Sequence, residues 1–560
     1  YNQLSNSVFF GLTLELDFHA REKAVGEAAR YGELAIRFLS TFEDSCELAR
    51  AYVRTATCLQ LFGFYFLDLD ERQKYYQMAM GYWQKAIQLS EESTMIELLN
   101  SLGMATLEND WGWGSDEAVK NFKRALEYSN KTRDRFIVGT ALSWLALNVS
   151  LKLGERILDP DEGVKLLRTA LQYAEDSSNQ YSLISFVSPL WGALWVEAPL
   201  AEYYWDLATW ETDVGKRAEL LEKAKDAASE QLKRALDSGY PEVIMFAHIE
   251  SSIILFSLAM METNLETKKE LLEKAMVHRN QAIRINEQFV PFFHWYRGFN
   301  QNHLANIKSE LADLAKDADR KKNMLQEAIL DKETALKLCI KHTRFWEGQG
   351  LISSLFPVLG TWQYGYGGLL NHLYGLTNKK EHLKKAMGAF KDAAESFRKH
   401  NLTSRIAECY WKVAQVHDNL GEYSKAAESF DLALNNYKNA AENIPQLKDF
   451  YQDHALYMQA WSEIERAKHH HIKQEYGSAK EHYEKAATIH LSLKQWSYLM
   501  PNYSACAEVE NAEDLSRREQ SEEALQAFKH AAKLFVETKK SLQSKLSKIE
   551  DIDEKQMAID

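Results

Sequence analysis

The sequence predicts an all-α chain built as a stack of helical hairpins, and three observations carry that prediction. Ten times a small residue is followed seven residues later by alanine: Ala79/Ala86, Ala118/Ala125, Gly163/Ala170, Ala228/Ala235, Ala275/Ala282, Ala328/Ala335, Ala386/Ala393, Ala426/Ala433, Ala479/Ala486 and Ala524/Ala531. Seven residues make about two helical turns, so each pair lies on one helix face. Four residues after the first small residue usually comes a bulky one: Trp83, Phe122, Leu167, Leu232, Phe390, Phe430, Tyr483 and Phe528. Small residues let neighbouring helices approach closely, and the bulky one fills the space beside them. The third observation is compositional. Only 8 prolines and 25 glycines stand in 560 residues, and nothing alternates with period two for long enough to demand a sheet.

The elements follow in order. Gly114-Ser115-Asp116-Glu117 offers capping residues before an apolar periodic run. Asp159-Pro160-Asp161 and Gly239-Tyr240-Pro241-Glu242 each read as a loop leading into a helix start. The widest gap between pairs, from Gly163 to Ala228, predicts an extra helix. Inside it, Ser182 to Leu200 is the one membrane candidate, with Glu197 as its sole charge. Pro189 and Pro199 interrupt it, which favours a buried helix hairpin and no membrane partner. Gly360-Thr361-Trp362-Gln363-Tyr364-Gly365-Tyr366-Gly367-Gly368 reads as a broken helix or aromatic-lined loop, an irregular hairpin or a small pocket. Asn419-Leu420-Gly421 ends a helix with residues that tolerate a left-handed cap.

The most regular unit runs from Ala407 to about Tyr437, with Tyr410, Val413, Ala414, His417, Gly421, Tyr423, Ala426, Phe430 and Ala433. It resembles the tetratricopeptide repeat, in which a small residue is followed twelve later by a second, then by an aromatic and an alanine. The twelve-residue spacing of Ala414 to Ala426 recurs as Ala467 to Ala479 and as Ala512 to Ala524. Upstream the corresponding spacing is 15 or 16, at Gly63/Ala79, Gly103/Ala118, Ala259/Ala275 and Ala312/Ala328, which means one added helical turn or a longer hairpin loop. Residues 1–401 therefore read as a divergent array with long helices, 402–540 as consensus-like repeats, and 541–560 as a charged capping helix or linker. The resemblance implies a right-handed superhelical solenoid of antiparallel helix pairs, with the first helix of each pair lining a concave groove.

Chemistry-bearing motifs are few. His469-His470-His471 fan out by about 100° per residue on a helix, so they do not converge on one ion. Cys339 and His342 sit one turn apart with no second half of a zinc site. The odd number of cysteines (Cys46, Cys58, Cys339, Cys409, Cys506) and the lack of C-x-x-C point to a reducing, cytoplasmic setting. No catalytic set, metal site or cofactor is expected. A net charge of −13 without a long basic run argues against nucleic acid.

Carried over from the resemblance, the groove positions are Glu408, Trp411, Gln415, Asp418 and Asn419. In the next repeat they are Trp461, Ile464, Lys468, His471 and Ile472, and in the last Cys506, Val509, Glu513, Ser516 and Arg517. Trp411 and Trp461, on the first helices of adjacent repeats, read as anchors for a partner side chain, or as packing between helices. Central aromatics beside amides, Trp295 and Tyr296 with Asn300 and Asn302, give a second candidate surface for an extended peptide. The expectation is a non-catalytic interaction scaffold for a peptide, protein segment or partner domain. The alternative is a sensor module whose effector domain belongs to the same polypeptide, because the chain does not open with Met.

Overall fold

A computed structural model describes residues 18–42, 45–65, 69–89, 160–184, 192–289, 294–348, 356–493 and 495–546, with isolated positions between 123 and 146 and Val187. Among the described residues there is no strand. The α-helices are α1 Phe18–Leu39, α2 Ser45–Tyr65, α3 Leu69–Leu89, α4 Pro160–Ser182, α5 Ala198–Trp210, α6 Val214–Ser238, α7 Pro241–Met261, α8 Leu265–Gln288, α9 His294–Leu314 and α10 Ala318–Gly348. They continue as α11 Phe356–Thr377, α12 Lys380–Arg398, α13 Thr403–Asn419, α14 Tyr423–Asn443, α15 Lys448–Ile472, α16 Tyr476–Ser492, α17 Met500–Arg517 and α18 Ser521–Leu546. The chain divides into two compact units, residues 1–355 and 356–560.

The paired small residues fall on α3 and α4 and then on every second helix: α6, α8, α10, α12, α14, α16 and α18. The alanines of these pairs are all at most 4 % exposed. Their partners on the preceding helices, Ala259, Ala312, Ala414, Ala467 and Ala512, are completely buried. Each helix packs chiefly on its sequence neighbours, so the fold is a solenoid of antiparallel pairs whose core is continuous only because the pairs stack. Of the bulky residues, Trp83, Leu167, Phe390 and Phe430 are buried, whereas Phe528 on α18 is 37 % exposed. The pair Ala118/Ala125 and the caps at Gly114 to Glu117 lie outside the described residues.

In the first unit the upstream spacing resolves as added helix. Leu265, Ala318 and Leu69 each begin a helix 10 residues before its first small residue, against 3 at Tyr423, Tyr476 and Ser521 in the second unit. Among the described residues several connections are short; α7 reaches α8 through three residues, where Asn264 caps α8 by accepting from the backbone N–H groups of Glu266 and Thr267. Pro160 and Pro241 open α4 and α7 as read. The gap from Gly163 to Ala228 differs from expectation. It holds the 13-residue α5, entered from a π-helical turn Ala193–Glu197, and no additional helix among the described residues.

Among the described residues, the helix long and apolar enough to pass for a membrane span is not the stretch flagged from sequence but α7, with a mean hydropathy of 1.9 over its apolar window. By length and composition it passes for a membrane span. In this fold it is a central first helix whose buried Val243, Met245, Ile249, Ser252, Ile254 and Ala259 are spread round its circumference. It meets α6 and α8 as sequence neighbours and touches α5 and α9 across them. On one side Met245, Ile249 and Ile253 also close a core with Val25 of α1, against which Phe62 and Tyr296 pack.

In the second unit the glycine-rich segment is neither a loop nor a broken helix: α11 runs unbroken through it. A Cβ on Gly360 would lie 2.8 Å from the Phe397 ring, and one on Gly367 2.7 Å from the Phe390 ring. These glycines are where α12 drives its aromatics against the α11 backbone. Gly421 has a φ of 75° and closes α13 as expected, and Gln474 and Glu519 take the same left-handed conformation after α15 and α17.

Candidate partner-binding groove

First helices α13, α15 and α17 carry the expected groove positions. Contact runs from α13 to α15 across α14, and Trp461 of α15 reaches Tyr503 of α17. The floor is aromatic. Tyr457, fully buried on α15, meets Trp411 edge-on at 6.0 Å and Trp461 edge-on at 6.2 Å. Trp461 also stacks on Phe430 at 6.0 Å and touches Tyr503 of α17 at 6.3 Å. Both tryptophans are part-exposed, so each is at once packing and surface. The indole Nε1 of Trp461 is buried with no hydrogen-bond partner. Gln415 is half-buried, Asn419 is exposed at the end of α13, and Ile464 is core.

Charges on the groove pair with one another across helices. Lys468 Nζ donates to Asp418 Oδ1 of α13 at 2.9 Å and to Glu465 Oε1 at 2.7 Å, and lies 5.7 Å over the Tyr423 ring. Burial holds the Lys468 ammonium down, but Glu465 and Asp418 more than offset it and raise its pKa. Glu465, with no exposed surface, is pushed up to about 7 by burial, and its Oε2 lacks a partner. His471 Nδ1 sits 2.9 Å from Glu510 of α17. His470 instead stacks on His482 and pairs with Glu475, so the histidine triplet disperses as its helical spacing requires. Among the described residues no group of three or more His, Cys, Asp or Glu is arranged to hold a metal. Cys339 is a buried free thiol, pushed up to about 12 by burial; the side chain of His342 lies outside the described residues.

The second candidate surface is placed differently from its reading. The side chain of Trp295 lies outside the described residues, and Tyr296 packs edge-on against Phe246 at 4.7 Å in the core that α1 closes. Asn300 and Asn302 are buried inside the stack instead of facing a partner. Asn300 Oδ1 accepts from Arg279 Nη1 at 2.6 Å, and Arg279, with no exposed surface, also donates to Ser252 Oγ and the Ile249 carbonyl. Asn302 and Asn306 accept from Lys332 Nζ at 2.6 and 2.7 Å. Burial pulls Arg279 down to about 9 and Lys332 down to about 7. The amides are acceptors for two buried cations, a pairing that needs residues 21 and 30 positions away. Sequence reasoning also missed Tyr457, although it stands four residues before Trp461 and so on its face.

The profile of the soluble NSF attachment protein (SNAP) family matches residues 372–466, from within α11 to within α15. No curated protein sequence matches the chain. Solved structures that are similar include a signal-transduction ATPase (STAND) protein with a tetratricopeptide-repeat sensor from Pyrococcus horikoshii. It is 14% identical, with 91% of this chain and 85% of that one covered and a TM-score of 0.32. Human IFIT1 is similar as a dimer with m7Gppp-AAAA, at 14% identity, 80% and 91% coverage and a TM-score of 0.26. The same human protein with PPP-AAAA gives 15% identity, 81% and 90% coverage and a TM-score of 0.28.

Scores this low do not assign a ligand. The exclusion of nucleic acid drawn from net charge nevertheless does not stand, since human IFIT1, one of these similar structures, is seen with m7Gppp-AAAA and PPP-AAAA. A total charge does not report a local surface. Paired helices with small residues buried at the repeat positions, together with the match over 372–466, make this chain a tetratricopeptide-like helical repeat.

Proposed function

We propose that the chain is a non-catalytic interaction module that takes an extended protein segment along α13, α15 and α17. The observation that carries this reading is the pair Trp411 and Trp461. They stand on the first helices of adjacent repeats, remain part-exposed, and border a continuous aromatic floor with Tyr457 and Tyr503. Part-exposed tryptophans on a rigid floor are the kind of surface that anchors a partner side chain. Exposed Asn419 and half-buried Gln415 beside them supply donors and acceptors for a peptide backbone. Lys468 is already held by Asp418 and Glu465, so recognition of a terminal carboxylate by that lysine would require breaking two contacts. The partner therefore engages the groove through apolar side chains. The SNAP match, which covers α13 and most of α15, supports an adaptor reading, since that family's name is that of an attachment protein.

The test is selection of twelve-residue peptides against the whole chain, followed by titration against Trp411→Ala/Trp461→Phe. The phenylalanine keeps the stack on Phe430 so that the variant stays folded. Selected peptides are expected to bind about ten-fold or more weakly to the variant. Equal binding by parent and variant would move the site off this groove.

A further inference from the structure

Three carboxylates on first helices of the first unit lack any basic partner. Glu202 and Asp206 lie four residues apart on α5 and so share a face. Glu250 lies on α7, which touches α5 across α6. The two helices are fastened there by Trp205 Nε1 donating to Ser257 Oγ at 2.8 Å, above a core of Ala201, Ala224, Ala228 and Ile254. Nearby bases are engaged elsewhere: Arg234 with Glu197 and Glu230, and Lys223 with Glu219. Glu202, Asp206 and Glu250 are each part-exposed as residues.

A second, independent observation points into the same place. Gln231 of α6 has no exposed surface, and neither its Nε2 nor its Oε1 closes a hydrogen bond. Its amide lies close enough to Glu250 to favour that carboxylate's charged form, while Glu250 Oε2 is itself buried without a partner. A fully buried amide with both ends open, behind an unpaired carboxylate, is costly unless something completes the network.

We propose that Glu202, Asp206 and Glu250, backed by Gln231, form a binding site for the guanidinium or ammonium group of a basic ligand. A guanidinium offers five donors in a planar fork and suits several carboxylate oxygens converging from two helices. The electrostatics agree. Burial pushes Glu202 up to about 7, and burial followed by the Glu202 charge raises Asp206 and Glu250. Each carboxyl thus stands in an environment that favours the neutral acid until a cation arrives. The site lies in the first unit and is independent of the groove on α13, α15 and α17.

Isothermal titration of the whole chain at near-physiological salt tests the proposal with three probes: acetyl-(Gly-Arg)4-amide, its lysine counterpart and spermidine. Both peptides are expected to bind the parent and to weaken about ten-fold or more with Glu202→Gln/Glu250→Gln, and likewise with Asp206→Asn. Glu219→Gln/Glu222→Gln, which makes the same charge change on the exposed side of α6, should leave binding unaltered. Binding of the peptides without spermidine assigns the cation to a protein segment; binding of spermidine as well extends the site to free polyamines. The proposal fails if no probe binds, or if the α6 control weakens binding as much as the site variants. It fails too if Glu202→Gln/Glu250→Gln melts well below the parent, because the carboxylates would then be structural.

Discussion

At the scale of single residues, the interior holds ionisable groups whose partners are neutral or lacking, and these set how stability responds to pH. His490 shows the effect most simply. It is fully buried, stacks on Tyr503 at 5.2 Å, and finds no hydrogen-bond partner for either ring nitrogen. Burial pulls it down to about 4. The unfolded chain therefore takes up its proton first as pH falls from about 6.5 towards 4, and the folded state loses stability across that window. Over the 2.5 units the loss approaches about 3 kcal/mol. His490→Phe keeps the stacked ring and removes the proton. Denaturant titrations of parent and variant at pH 7 and 4.5 should show their stability difference shifting by about 2–3 kcal/mol in the variant's favour. An unchanged difference would mean that the imidazole takes up its proton as readily in the fold as in the unfolded chain.

The scale of the element is where the sequence is most legible and where it misleads. Alanines at a spacing of seven were readable because close approach of two helices tolerates few other side chains, and their burial follows from that steric demand alone. The glycines of α11 carry the same message in a form that looks like a loop. Glycine is a poor helix former by about 1 kcal/mol, so a run of them argues against a helix unless a neighbour's contact is known. Here the neighbours are Phe390 and Phe397, on the next helix. Gly367 and Gly368 separate the two roles within one dipeptide, since a Cβ on Gly368 meets nothing within 4 Å. Gly367→Ala should lose about 1–3 kcal/mol by overpacking. Gly368→Ala should gain about 0.5–1 kcal/mol from helix propensity. Thermal melts of the two variants decide the matter, and a shared sign would refute it. The buried amides Asn300 and Asn302 mislead for a related reason. Polar residues beside aromatics look like a surface, and only the positions of Arg279 and Lys332 on adjoining helices reveal them as interior acceptors.

Across the whole molecule, each of the two compact units closes its own stacked core. A fragment of residues 356–560 should accordingly fold by itself, with a cooperative melt and strong helical circular dichroism; a non-cooperative melt would show that the second unit depends on the first. The repeat logic also explains why the architecture was apparent while the candidate sites were not. Packing within a hairpin repeats at fixed spacing, whereas the pairings Lys468 to Asp418 and Arg279 to Asn300 are made once and across helices.

The apolar circumference of α7 has a consequence in time. Synthesis proceeds from the N-terminus at about 5–20 residues per second, so α7 leaves the ribosome several seconds before α9 is complete, about 50 residues later. During that interval a 21-residue segment with the hydropathy of a membrane helix has only its upstream neighbours for cover. Nascent chains of this protein are therefore expected to engage holding chaperones at α7 once it has emerged, and to display that helix to any lipid surface within reach.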